Sequence, residues 1–272
     1  MKILVIGSNG MLGHDVCAAL RNNNIEFQAF NKNDLDITNK DQINEKINNS
    51  FSHIINCAAY TDVDGAESNN EDCDKINVLG TKNLADKSKQ LKIPLITIST
   101  DYVFNGEKQE YTEDEQTNPI NYYGLSKKKA EDYIKQNLKK YYIIRTSWLF
   151  GKNGKNFVKT IKNLTTKNQE IKVVNDQHGC PTYTIDLANA IIKLINDNKN
   201  YGIYHLTNSN PCTWYEFAKE IIKLTNSNCK VIPCTSDEFQ RKTKRPKYSI
   251  LRNNKTSKLP DWKDALKRYL EE

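Results

Sequence analysis

Lys2-Ile3-Leu4-Val5-Ile6-Gly7-Ser8-Asn9-Gly10-Met11-Leu12-Gly13 decides the fold. The run from Ile3 to Ile6 is a short apolar stretch, rich in β-branched residues, that reads as a strand. Three glycines follow as Gly7-x-x-Gly10-x-x-Gly13, and a helical apolar pattern starts at Met11. Each glycine has a separate physical job in such a loop. One permits a tight turn, one lets a diphosphate approach the backbone, and one lets helix and strand pack closely. The helix N-terminus adds free N–H groups and a partial positive charge for that diphosphate.

Outward from this loop the pattern alternates. Residues 2–7, 26–30, 53–56, 94–99 and 141–146 read as strands, and 11–22, 41–48, 71–90 and 126–137 as helices. Strands alternating with helices imply βαβ units in an α/β doubly wound parallel sheet. Residues 1–150 are therefore expected to form a dinucleotide-binding Rossmann domain. Beyond Arg145 the pattern loosens, with helices expected at 156–164, 184–195, 214–224 and 262–270 and short strands at 172–174 and 203–206. Residues 151–272 read as a mixed region whose chain crosses back to complete the sheet and forms a smaller C-terminal substrate lobe.

A net charge of +7 raises nucleic acid as a partner, but the lysines are scattered. Runs such as Lys127-Lys128-Lys129 have acids nearby, and no aromatic-basic platform is visible. They read as solvated helix faces that help attract phosphorylated ligands. The apolar runs are too short for a bilayer or for a signal peptide, so no membrane role is expected and a cytoplasmic location is. Seven cysteines, an odd count with no CxxC pair, read as buried thiols in a reducing compartment rather than metal ligands.

Tyr123-Gly124-Leu125-Ser126-Lys127 places a phenol and an ammonium four residues apart, on one face of a helix. A nearby cation favours the phenolate and draws the tyrosine towards neutrality from its usual pKa of about 10. Tyr123 would then donate a proton to a carbonyl oxygen as hydride reaches the carbon, with Lys127 also holding the nicotinamide ribose. Ser99-Thr100-Asp101 lies at the carboxyl end of the fourth strand, where ligands sit in open α/β sheets. The Thr100 hydroxyl there would bond the same oxygen. At the end of the second strand, Phe30-Asn31-Lys32 has no acid at Asn31 and a cation at Lys32, which tilts the cofactor towards NADPH over NADH.

These residues resemble the extended short-chain dehydrogenase/reductase superfamily and, within it, the dTDP-4-dehydrorhamnose reductase family. Residues 7–13, 35–38, 56–64, 99–104, 123–127, 145–151, 176–182 and Arg245-Pro246 carry the resemblance, which spans nearly the whole chain. It implies reduction of the C4 ketone of dTDP-4-dehydro-β-L-rhamnose to dTDP-L-rhamnose, a nucleotide-sugar step of surface polysaccharide biosynthesis. By motif, Gly7, Gly10, Met11, Leu12, Gly13, Asn31, Asp36, Ile37, Ala58, Ala59 and Tyr60 fall at cofactor positions, together with Tyr123 and Lys127. Thr100, Asp101 and Trp148 fall at sugar-nucleotide positions. Arg245 is expected to clamp the diphosphate, because guanidinium matches phosphate geometry. The chain departs from the family at Arg245-Pro246-Lys247-Tyr248-Ser249, where RPxNS is usual, and no acid cluster suggests the magnesium some members bind. Trp148 is open between core aromatic and sugar wall; His178 and Trp214 read as structural. The rivals are a reductase or epimerase/reductase on a UDP-linked 4-keto-6-deoxysugar and a non-catalytic nucleotide-binding subunit. The nucleotide base, the cofactor preference and a homodimeric state stay open.

Overall fold

The computed structural model describes residues 1–239 and 241–272. The first half runs β1 (Lys2–Ile6), α1 (Met11–Asn22), β2 (Glu26–Phe30), α2 (Lys40–Lys46), β3 (His53–Asn56), α3 (Asn70–Asp74), α4 (Thr81–Leu91), β4 (Leu95–Thr100), β5 (Glu110–Tyr111), α5 (Tyr122–Asn137), β6 (Tyr141–Thr146) and β7 (Leu149–Phe150). The second half runs α6 (Phe157–Thr165), β8 (Glu170–Val174), β9 (His178–Gly179), β10 (Thr182–Tyr183), α7 (Thr184–Asn196), β11 (Gly202–His205), β12 (Cys212–Thr213), α8 (Trp214–Leu224), β13 (Lys230–Cys234), α9 (Ser236–Phe239), β14 (Ile250–Leu251) and α10 (Trp262–Glu271).

Six parallel strands form the main sheet in the order β11-β6-β4-β3-β1-β2. Alternation along each strand sends side chains to opposite faces. Ile3, Val5, Ile55, Ile96 and Ile144 meet α1 and α7 through Leu12, Val16, Leu187 and Ile191. Leu4, Ile6, Ile54, Leu95 and Ile143 meet α2, α4 and α5 through Ile43, Leu84 and Ile134. Both faces are covered, which is why these strands are apolar without alternation. The winding reverses between β1 and β3, and that reversal opens the ligand crevice.

Residues 184–205 return from the second half to add α7 and β11 to this layer. A separate apolar cluster joins α6, β8, α8 and α10 through Val158, Ile161, Val173, Phe217, Ile221 and Trp262. Among the described residues no helix is long and apolar enough to cross a membrane, and no group of three or more His, Cys, Asp or Glu comes together as metal ligands.

Two helices differ from their sequence expectation. The segment expected as one helix over 71–90 contains a π-helical turn at Lys75–Gly80 between α3 and α4. The wide turn brings Asn77 inward. Its Oδ1 accepts from the Tyr60 N–H at 2.9 Å, and its Nδ2 donates to Tyr60 O at 3.1 Å and Ser126 Oγ at 2.9 Å. Apolar periodicity does not report such an insertion, because the flanking turns keep their faces. Helix α5 begins at Tyr122, not Ser126, because Asn121 caps it: its Oδ1 accepts from the Gly124 N–H at 2.8 Å. Tyr-Tyr-Gly is a poor helix former, so propensity alone hides this first turn.

Candidate active site

The crevice holds two chambers that share Gly10, Cys57, Ala58 and Ala59. The outer one, about 230 Å³, is lined by Gly7, Gly10, Lys32, Asp36, Ile37 and Ala58. The inner one, about 690 Å³, has Gly10, Met11, Leu12, Ala58 and Ala59 among its walls, together with Thr100, Asp101, Tyr123, Lys127 and Trp148.

The glycine loop fits a dinucleotide. Gly7 has φ +77°, and a Cβ there would stand 2.7 Å from Ala58 N, so only glycine lets β1 and the loop after β3 touch. A Cβ on Gly13 would stand 2.1 Å from Gly7 O. Gly10 is different: a Cβ there would meet only Gly7 O, at 3.2 Å, and would otherwise occupy the open crevice. Gly13→Ala is therefore expected to destabilise the protein by about 1–3 kcal/mol, read as a lower denaturant midpoint. An unchanged midpoint would contradict the close packing of α1 on the loop.

Lys32 and Asp36 line the outer chamber beside the glycine loop. Burial works against the Asp36 charge, but hydrogen bonds from Thr38 N at 2.9 Å and Thr38 Oγ1 at 2.8 Å, with Lys32 and Lys75 nearby, hold its carboxyl below the usual range. Asn31 is not among the lining residues of either chamber. Its Oδ1 accepts from the Asn33 N–H at 2.7 Å inside a turn. Tyr60 and Gly13 also support the walls without lining them.

Helix α5 and the end of β4 bring Tyr123, Lys127 and Thr100 together in the inner chamber. The electrostatics differ from the sequence expectation. Burial, with the Asp101 carboxylate next in effect, pushes the Tyr123 phenol up, not towards neutrality; the Thr100 hydroxyl pulls the other way. Burial lowers Lys127 to about 8, against Glu131 one turn on, which favours the charge. The expected drop for Tyr123 assumed a fully effective cation, but a desolvated ammonium is itself disfavoured.

Burial also raises Asp101 to about 7, while the Ser249 and Thr100 hydroxyls favour its charge. Thr100 Oγ1 donates to Asp101 Oδ1 at 2.9 Å, and Asp101 Oδ2 is buried without a hydrogen-bond partner. A protonated Asp101 would reverse the first bond and free the Thr100 hydrogen for a substrate oxygen. Thus Asp101 and Thr100 form a hydrogen-bonded pair that lines the chamber together with Tyr123.

Behind the site lies a buried ion pair. Arg145 Nε and Nη2 donate to Glu131 Oε1 and Oε2 at 3.0 and 2.7 Å, and each side chain is 1% exposed. Ser99 Oγ donates to the same carboxylate. His205, 3.4 Å from Arg145 Nη1, is pushed down to about 3 by burial and by that guanidinium, so it is neutral.

A third cavity of about 460 Å³ adjoins the inner chamber across Val63, Tyr102 and Trp214. It contains Arg245, expected as a diphosphate clamp, together with Arg241, Lys172 and Phe157. Arg245 is not free there: Nη2 lies 3.1 Å from Asp64 Oδ1, and Nη1 donates to Thr243 O at 3.2 Å. Sequence reasoning missed Phe157 and Arg241 as lining residues. It also read Trp214 as packing, but this residue lines both cavities. The basic run Arg241-Lys242-Thr243-Lys244-Arg245 was the available signal for Arg241; nothing local marked Phe157.

A family model described as RmlD substrate binding domain matches residues 1–272. The chain belongs to that family. A solved dTDP-4-dehydrorhamnose reductase from Clostridium acetobutylicum is 44% identical to this RmlD-type chain, covering 100% of it and 99% of that chain, with a TM-score of 0.94. A dTDP-4-dehydrorhamnose reductase from Bacillus anthracis, solved with NADP, is 40% identical over 99% of this chain and 98% of that one, with a TM-score of 0.94. Among curated relatives, the spore coat polysaccharide biosynthesis protein SpsK of Bacillus subtilis is 38% identical, covering 100% of this chain and 97% of its own length.

Proposed function

We propose that this chain is a nicotinamide-dependent oxidoreductase that reduces the C4 ketone of dTDP-4-dehydro-β-L-rhamnose to dTDP-L-rhamnose, with NADPH as reductant. The observation that carries it is the meeting of Tyr123, Lys127 and Thr100 in a chamber continuous with the glycine-loop crevice. The RmlD-type family and the named activity of its relatives support the substrate. On this reading residues 1–150 hold the dinucleotide and the lobe within residues 151–272 holds the sugar nucleotide. The reading also places the chain in the cytoplasm.

A bound dihydronicotinamide supplies the hydride. The chain's residues do the rest. Tyr123, kept as a phenol by its raised pKa, carries the proton that the ketone oxygen needs. Thr100 orients that oxygen, and Asp101 Oδ2 is left to accept from a sugar hydroxyl. Lys127 steadies the phenolate that forms and helps seat the cofactor ribose. Ala58, Ala59, Met11 and Leu12 wall the chamber.

The direct test sets NADPH and NADH against dTDP- and UDP-linked 4-keto-6-deoxysugars. Oxidation of NADPH with the dTDP-linked substrate is expected; no turnover with either nicotinamide would refute the reading. Two further results should follow. Gly10→Val places a side chain in the crevice and should weaken NADPH binding at least about tenfold, with little loss of melting temperature; unchanged affinity would move the diphosphate elsewhere. Lys127 is charged below about 8 and loses its proton above. The kcat/KM profile, which reports the free enzyme, should therefore fall as pH rises through about 8. A profile flat to pH 9.5 would exclude Lys127 as an acting cation.

A further inference from the structure

Six non-glycine residues among those described have positive φ, and five of them are Asn or Lys; the sixth is Trp148, with φ +48°. Asn tolerates the left-handed region and Lys92 ends a helix there, whereas a bulky aromatic in that region is a genuine outlier that its surroundings must hold. Trp148 also lines the inner chamber, beside Thr100 and Tyr123. Its conformation is therefore a question about the site.

Trp214 supplies the hold. The two indoles stack with centroids 3.5 Å apart and planes within 8°. Gly179 packs against the same indole: a Cβ there would stand 2.5 Å from Trp148 Cε2. These two supports are themselves joined. In the β9–β12 ladder Cys212 pairs with Gly179 and Thr213 with His178, and Trp214 is the next residue. Thr213 then caps α8 in a reciprocal box with Glu216, at 3.1 Å from Glu216 N to Thr213 Oγ1 and 2.7 Å from Thr213 N to Glu216 Oε2. Phe157 leans on the Trp214 ring at 4.5 Å. Trp214 thus stands on a rigid mount, and it lines both the inner chamber and the cavity holding Arg245.

We propose that Trp214 is a positioning residue for the sugar nucleotide: it clamps Trp148 in its strained conformation and forms the partition between the chamber for the sugar and the cavity for the nucleotide. The proposal rests on the function given above and adds a residue in neither the glycine loop nor the Tyr-Lys pair. Because neither Trp148 nor Trp214 lines the outer, glycine-loop chamber, loss of the clamp should act on the sugar nucleotide and spare NADPH.

The test compares Trp214→Leu and Trp214→Phe with the parent, measuring kcat, both KM values, the melting temperature and the dissociation constant of dTDP-L-rhamnose. Trp214→Leu should raise the sugar-nucleotide KM and the dissociation constant about tenfold. Its kcat should fall less than that, and its NADPH KM should stay at the parental value. Trp214→Phe keeps an aromatic face for Trp148 and should recover most of the loss. Parental sugar-nucleotide binding in a folded Trp214→Leu protein would overturn the proposal, as would a loss shared equally by NADPH. If Trp214→Leu fails to fold, a Trp214→Phe protein that binds the sugar nucleotide no better than Trp214→Met would overturn it as well. A parent inert to the sugar nucleotide would refute the function itself, an outcome told apart because the parent and not the variant fails.

Discussion

Tyr123→Phe is expected to lower kcat by about 10²–10⁴ while leaving NADPH affinity within about twofold, because the ring stays and only the proton donor goes. The substitution removes one oxygen from a chamber wall and leaves the helix cap at Asn121 and the neighbouring Tyr102 ring, 6.2 Å away edge-on, in place. Single-turnover mixing of NADPH-loaded protein with the keto sugar reads the chemical step directly. Activity near the parental value would show that another group protonates the oxygen, and Asp101, with a pKa near 7, would be the first to examine.

The second large effect is on stability. Arg145→Met leaves the buried Glu131 carboxyl without its two-pronged partner. Breaking a buried pair from one side costs about 3–5 kcal/mol, a large share of the roughly 5–15 kcal/mol that holds a typical domain together. Urea unfolding should show this as a lower midpoint with an unchanged slope. Replacing both residues, Arg145→Met with Glu131→Met, should recover part of the loss, since the unpaired carboxyl is gone while Lys127 loses a favourable neighbour. The double variant carries a second signature. Glu131 favours the charge on Lys127, so its removal should move the alkaline limb of kcat/KM below pH 8. A double variant as unstable as the single one would mean that packing around Phe104, 5.0 Å from the guanidinium, matters more than charge.

The large elements were legible because their signals are local and strong. The unalternating run at β1, the glycine spacing and the Tyr-Lys spacing each follow from a short-range rule, and Met11–Asn22, His53–Asn56 and Tyr141–Thr146 fall where periodicity puts them. The failures share another cause. The π turn at Lys75–Gly80 answers a demand from Tyr60 and Ser126, residues distant in sequence. The pKa directions of Tyr123 and Lys127 depend on how deeply both are buried, which spacing does not encode. Arg245 was picked out as a cation, yet its partner Asp64 lies far back along the chain. The stack of Trp148 on Trp214 is backed by the β9–β12 ladder, two residue pairs long and too short to leave a strand pattern.

The return of residues 184–205 to the main sheet bears on how the chain is made. Until Gly202–His205 leave the ribosome, β6 is a bare sheet margin and the apolar stripe of α1 lacks α7. A nascent chain stalled or cleaved near residue 150 would expose that margin to self-association. Synthesis of the N-terminal half alone should yield inclusion bodies, whereas complementation with a separately expressed second half should restore solubility.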